Sequence, residues 1–239
     1  MSLPKIDLPI YKVFLSSQDR EIKFRPFVVK EEKILLMALE SGEITSVVDA
    51  VKQVVASCVL DNIDIDDMPL YELEKIFLHL RARSISEIVE ITYICQNDVA
   101  EKKCKNEMAL EVDLLKTVVE SKPVLDKIML TDVVGIKLKY PSISVSSKVK
   151  TDGDDFENML SLIEHCTDYL FDEAQVYQVT DMQEGEFRGF IENLTQEQFA
   201  SIKTFFDNVP KIVYDANLTC GKCGADHQIH LEGLSDFFE

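Results

Sequence analysis

The chain has 239 residues, 46% of them hydrophobic, and a formal net charge of -18 from 43 acidic against 25 basic residues. That length and apolar content can bury a core without disulfides, and the acidic balance repels phosphate backbones and argues against nucleic-acid binding. No apolar run approaches the roughly 20 residues of a membrane span, and the opening MSLPKIDLPIYKVF has no apolar signal core, so the expectation is a soluble intracellular protein without a membrane partner.

EIKFRPFVV, residues 21–29, alternates as a strand does, with Pro26 suited to its edge or end. KEEKILLMALESGE reads as a helix opened by acids and capped by Gly42, with Ile34, Leu35, Met37, Ala38 and Leu39 on its apolar side. A second helix follows in ITSVVDAVKQVVASCVL. The polar connector Asp61–Asp67 leads into MPLYELEKIFLHLRARS, where Leu70, Leu73, Ile76, Phe77 and Leu80 recur at helical spacing. EIVEITYIC then has the β-branched and aromatic content of a strand running into Cys95.

ALEVDLLKTVVES continues as a strand or short helix until Pro123 interrupts, and DVVGIKLKYPSISVSSKVK alternates like one or two strands, giving an extended linker over 136–150 before a turn at Asp152–Asp155. DFENMLSLIEHCTDYLF is expected to be helical, an acidic connector holds Asp172 and Glu173, LTQEQFASIKTFFDNV opens with a Thr195/Gln198 capping box, and KIVYDANLTC is a strand running into Cys220. Each half therefore reads helix with a cysteine, acidic connector, helix, strand, cysteine. Either an internal duplication or a chance recurrence of a common order produces this. The expected fold is α+β: two helix-rich halves with short strands, divided as 1–122, a linker at 123–150 and a C-terminal unit at 151–239.

Of the six cysteines, Cys58 and Cys166 sit in apolar helical contexts and read as small core residues. Cys220-Gly-Lys-Cys223-Gly has the knuckle spacing by which two thiolates face one tetrahedral ion. A redox dithiol would instead want its first cysteine at a helix N-terminus. Cys95 and Cys104, with eight residues between them, share the context of the second pair: strand, cysteine, loop, lysine-cysteine, then another strand-like run. The prediction is two hairpins, a zinc-ribbon-like arrangement, clasping one structural zinc between the halves through Cys95, Cys104, Cys220 and Cys223. Four thiolates close the coordination sphere and leave no position for substrate. The competing local set is Cys220, Cys223, His227 and His230, and ordinary reduced cysteines with exposed histidines are the third reading. His79 and His165 read as packing or surface residues.

No glycine-rich phosphate loop, G-x-S-x-G elbow or H-E-x-x-H helix is present in the sequence, and neither DNIDIDD nor DGDD combines the glycine and terminal glutamate of a calcium loop. The expectation is no enzyme and no small-molecule substrate.

The stretch Lys23–Glu43, KFRPFVVKEEKILLMALESGE, resembles the N-terminal signature of the T-even bacteriophage (myovirus) base plate protein family, in which an Arg-Pro-Phe strand leads into a Lys-Glu-Glu-Lys helix. The similarity in layout extends over most of the chain. It implies a subunit or an assembly catalyst of the tail baseplate hub, meeting other hub proteins in the host cytoplasm during assembly or in the virion baseplate. On that resemblance Arg25, Phe27, Glu31 and Glu32 are candidate partner-binding residues. The competing reading places Phe27, Ile34, Leu35 and Leu39 in the core of the first half, with Glu31, Glu32 and Lys33 facing solvent. A zinc-ribbon adaptor in a transcription or nucleic-acid-processing machine is the alternative from another class.

Overall fold

A computed structural model describes residues 6–99, 102–146, 148–149, 155–183 and 185–237. In chain order the elements are β1 (Tyr11–Leu15), β2 (Arg20–Phe24), α1 (Val29–Ser41), α2 (Ile44–Cys58), α3 (Leu70–Ser84), β3 (Ile88–Ile94), β4 (Asp98–Val99), β5 (Lys102–Lys103), β6 (Glu107–Asp113) and β7 (Val118–Glu120). There follow β8 (Lys127–Met129), β9 (Gly135–Leu138), α4 (Ile143–Ser146), α5 (Asp155–Cys166), β10 (Thr167–Phe171), β11 (Val176–Gln178), α6 (Glu186–Glu192), α7 (Gln196–Asp207), β12 (Lys211–Thr219) and β13 (Asp226–Glu232). The class is α+β, as expected.

The chain forms two compact units, and their grouping differs from the three-segment division expected from the sequence. The first contains residues 1–63, 71–120 and 211–239; the second contains 64–70 and 121–210. The C-terminal cysteine hairpin thus belongs with the first unit, because β12 pairs with both β7 and β13 in one three-stranded sheet. Sequence periodicity marks which face of a strand is apolar but not which distant strand it joins.

In the first unit, the β1–β2 hairpin pairs Tyr11 with Phe24 and buries Val13, Leu15, Ile22 and Phe24 on one face. Its turn is tied to α3 by the buried Glu72, whose carboxylate accepts from the Ser17 N–H at 2.7 Å and the Ser16 hydroxyl at 3.1 Å. A buried carboxylate is tolerated when donors surround it in this way. β3 and β6 pair antiparallel from Ile88↔Asp113 to Ile94↔Glu107. The inner sides of β6, β12 and β13 share a core with Leu78, Ala82 and Phe237. α1 ends as expected: Gly42 takes a left-handed φ of 67° and its N–H closes on the Leu39 carbonyl.

In the second unit, a four-stranded antiparallel sheet in the order β11-β10-β9-β8 packs on a core that includes Leu160, Ile163, Phe187, Ile191, Ile202 and Phe205. The helix expected over 155–171 stops at Cys166, and Thr167–Phe171 is strand β10. Thr167, Tyr169 and Phe171 are strand formers, and the register with β9 satisfies their backbone. The expected linker strand over 136–150 is instead β9 followed by α4, and β9 lies inside this sheet rather than between helical units. Gly135 faces Phe171 across the strands so closely that a Cβ there would lie 2.2 Å from the ring. The acidic turn expected at 152–155 lies outside the described residues except for Asp155, which opens α5. β10, β11 and α6 stand between α5 and α7, an interruption that α2 and α3 lack.

Candidate metal centre

β3 delivers Cys95 and β6 follows Cys104; β12 delivers Cys220 and β13 follows Cys223. The two turns close by the same hydrogen bonds. In the first, the Cys95 N–H donates to the Asn106 carbonyl and the Lys105 N–H to the Cys95 carbonyl; in the second, Cys220 donates to Ala225 and Gly224 to Cys220. In each, the first cysteine bonds two residues beyond the second and is bonded by the residue just after it. The first turn is six residues longer than the second, and four of its residues pair in the short β4–β5 ladder, Asp98↔Lys103 and Val99↔Lys102.

These turns bring Cys95, Cys104, Cys220 and Cys223 together, with all four Sγ atoms within 4.8 Å of one another. Cys95 and Cys223 are 3.7 Å apart through sulfur, and Cys104 and Cys220 are 3.9 Å apart. A tetrahedron with metal–sulfur bonds of about 2.3 Å has edges of about 3.8 Å, whereas a disulfide needs about 2.05 Å. The spacing therefore fits a four-thiolate metal site and not disulfides. Cys95, Cys104 and Cys220 are buried and Cys223 is half-buried.

The electrostatics of the thiols differ. Backbone N–H groups of Cys223 and Lys222 point at Cys220 and, against the effect of burial, bring its pKa down to about 6. Burial pushes Cys95 up to about 12 and also raises Cys104, while the N–H groups of Asn97 and Asn106 act in the opposite direction on those two sulfurs. A metal cation would supply the positive charge that four adjacent thiolates need. The turns are also joined directly: the Asn97 side chain donates to Cys223 Sγ at 3.6 Å, and Lys222 Nζ donates to the Cys104 carbonyl at 3.3 Å.

His227 is beside the cluster, with Nε2 3.2 Å from Cys95 Sγ and its ring 5.3 Å from that of Tyr93. His230 is engaged elsewhere, its Nδ1 2.7 Å from Asp215, which raises its pKa. The local Cys-Cys-His-His set is thus not assembled. Nothing in the local sequence pattern marks the contact of His227 with Cys95, because it depends on how the two hairpins face. One expectation is corrected by the unit boundaries: the cysteines clasp two distant segments of the first unit, not two separate halves.

The other predicted residues lie around the Arg25 turn. The Arg25 guanidinium donates to Glu31 Oε1 at 2.9 Å and to the Pro26 and Ser57 carbonyls. Glu31 also accepts the Val28 N–H at 2.9 Å and is 1% exposed, so it does not face solvent as expected. It tucks back over the start of α1, where a carboxylate meets unpaired N–H groups. Burial by itself would raise its pKa, but the hydrogen bonds from Arg25, Val28 and Lys30 bring it down to about 2. Phe27 is buried, Glu32 is half-buried and Lys33 is exposed. The exposed side of α1 carries Leu36, Met37 and Leu39, each more than half exposed; Met37 and Leu39 were expected on the packed side.

This α+β chain with a four-cysteine cluster belongs to the T4 bacteriophage base plate protein family, whose family model matches residues 8–239. It is 24% identical over 230 residues to the Baseplate hub assembly protein gp26 of Enterobacteria phage T4, a match covering 96% of this chain and 98% of that protein. No solved structure matches the chain.

Proposed function

We propose that this chain is a non-enzymatic component or assembly factor of a phage baseplate hub, working in the host cytoplasm or the virion tail through contacts with other baseplate proteins. The observation that carries this reading is the family match over nearly the whole chain, together with the near full-length relative named as a hub assembly protein. The exposed apolar side chains of α1, Leu36, Met37 and Leu39, supply a partner surface beside Glu32 and Lys33. Arg25, Phe27 and Glu31 support that surface by fixing the entry into α1; Arg25 remains partly accessible.

The four cysteines hold one structural zinc. Tetrathiolate geometry, burial and N–H groups directed at sulfur all favour zinc, and the closed set leaves no position for a reactant. The zinc fixes two hairpins whose own packing around the cysteines is small, and so contributes directly to the folding of this end of the first unit.

Two measurements test this. Metal analysis of purified protein is expected to give about one zinc per chain, lost in Cys95→Ser and Cys104→Ser; full retention in both variants would refute the site. Phage complementation with a Leu36→Glu, Leu39→Glu variant is expected to fail with the circular dichroism spectrum unchanged. Normal hub assembly by that folded variant would remove α1 as the partner surface.

A further inference from the structure

The second unit has its own open edge. β8 ends the four-stranded sheet and pairs only with β9 among the described residues. The carbonyl of Asp126 accepts the Leu138 N–H and the Leu130 N–H donates to Val134, so the even-numbered residues make the ladder with β9. In an antiparallel pair, bonded and non-bonded positions alternate. Lys127 and Met129 therefore direct their backbone N–H and C=O groups away from β9, along the free edge.

Beside this edge runs a groove of about 600 Å³, bounded by the 122–129 segment on one side and by α7 residues Ser201, Thr204 and Phe205 on the other. Val124 and Ile128 pack on the core of this unit, while Leu125 is 79% exposed and Met129 53% exposed. The groove lining contains Lys122 and Lys127 and no carboxylate, in a chain with 43 acidic and 25 basic residues. Asp126 adjoins it, but its carboxylate is paired with Lys137. Lysines on edge strands often block pairing with another chain. Here the Lys127 ammonium lies 4.9 Å over the Phe171 ring, on the outer face of the sheet, and leaves the edge clear.

We infer that this groove is a docking site for an extended segment of a partner protein, with acidic and apolar residues alternating, which adds to β8 as a fifth strand. Strand geometry sets the pattern. A partner residue opposite Lys127 shares its outer face and meets an ammonium, while one opposite Ile128 enters the groove over Phe205. Charge complementarity selects the acidic alternation and disfavours a basic one. This inference rests on the reading that the chain acts through protein contacts, but it uses a surface separate from α1.

The test is fluorescence anisotropy of the full chain with a fluorescein-labelled peptide, Glu-Val-Glu-Leu-Glu-Val, and with Lys-Val-Lys-Leu-Lys-Val as its counterpart. The acidic peptide is expected to bind saturably and at least tenfold more tightly than the basic one, and to weaken as salt is raised. Met129→Pro removes an outward N–H at an edge position that accepts proline, and Ser201→Tyr fills the groove from an exposed helix position without adding charge. Each is expected to weaken binding at least tenfold with unit folding unchanged by circular dichroism. Absence of saturable binding, equal binding of both peptides, or binding unaffected by both variants overturns the docking site. So does a self-association by sedimentation that Ser201→Tyr abolishes, since a second copy would then own the groove. None of these outcomes bears on complementation by α1 variants, so failure here is distinct from failure of the baseplate reading.

Discussion

Lys105 and Gly224 occupy the same place in their two cysteine turns: each follows the second cysteine, each donates its N–H to the carbonyl of the first, and both have left-handed backbones, with φ of 49° and 72°. Glycine adopts that conformation freely, whereas a residue with a Cβ loses about 1 kcal/mol or more there. Lys105→Gly is therefore expected to stabilise the protein by up to about 1 kcal/mol, less the added freedom of the unfolded chain. Urea denaturation at fixed zinc measures it. A loss of stability would show that the Lys105 side chain contributes more than its backbone costs.

The His227 contact with Cys95 makes a second expectation. With a thiolate at Cys95, Nε2–H is the donor, and the bond orients the sulfur and spreads its charge. His227→Phe keeps a ring against Tyr93 and removes the donor. Zinc affinity is expected to fall about 10- to 100-fold in a chelator competition, with the stoichiometry unchanged at saturating metal. Unchanged affinity would make the contact incidental.

Removal of a metal held by the four cysteines is expected to have a regional consequence. Because all four cysteines lie in the first unit, chelation is expected to speed amide exchange in β3, β6, β12 and β13 and to leave β9, β10 and α7 protected. Hydrogen exchange with and without chelator distinguishes this from a collapse of both units.

The Arg25–Glu31 pair predicts an acid dependence with a definite sign. Glu31 has a pKa lowered from 4.5 to about 2, so its contribution is complete above pH 4.5 and is lost as pH falls through about 2. Glu31→Gln leaves Arg25 without its charged partner and is expected to cost about 3 kcal/mol at neutral pH. The difference from the parent protein should shrink as pH falls across that window. A gap that stays constant with pH would mean that the carboxylate charge contributes nothing.

Gly135 supplies a steric expectation. A methyl group there would meet the Phe171 ring at 2.2 Å, inside any real contact distance. Gly135→Ala should destabilise the second unit by about 1–3 kcal/mol, and Phe171→Leu in the same chain should restore part of it. Thermal unfolding of the two variants together separates this clash from a general loss of strand structure.

Much of this was legible along the sequence where the determinants are local. The apolar spacing of α1 to α3, the Gly42 cap and the Thr195/Gln198 capping box, in which the Thr195 N–H donates to Gln198 Oε1 at 2.8 Å, all depend on residues within a turn or two. The four cysteines were legible through matching local contexts. What escaped depends on partners far along the chain. Thr167–Phe171 became a strand because β9 was there to pair with it. Glu31 looks like a surface helix residue until Arg25 reaches it across the Pro26 turn. Leu39 matches a core period, yet α1 leaves it exposed.

The separation of the two cysteine turns along the chain also sets a clock. Cys104 and Cys220 are 116 positions apart, and translation at about 5–20 residues per second places roughly 6–23 s between their syntheses. Throughout that interval the first pair waits as free thiols on a nascent polypeptide, while residues 121–210, which make up most of the second unit, emerge and can fold. With a metal in the four-cysteine cluster, the first unit would be complete only after β12 and β13 had followed, so a later segment of the chain would complete a fold begun by an earlier one.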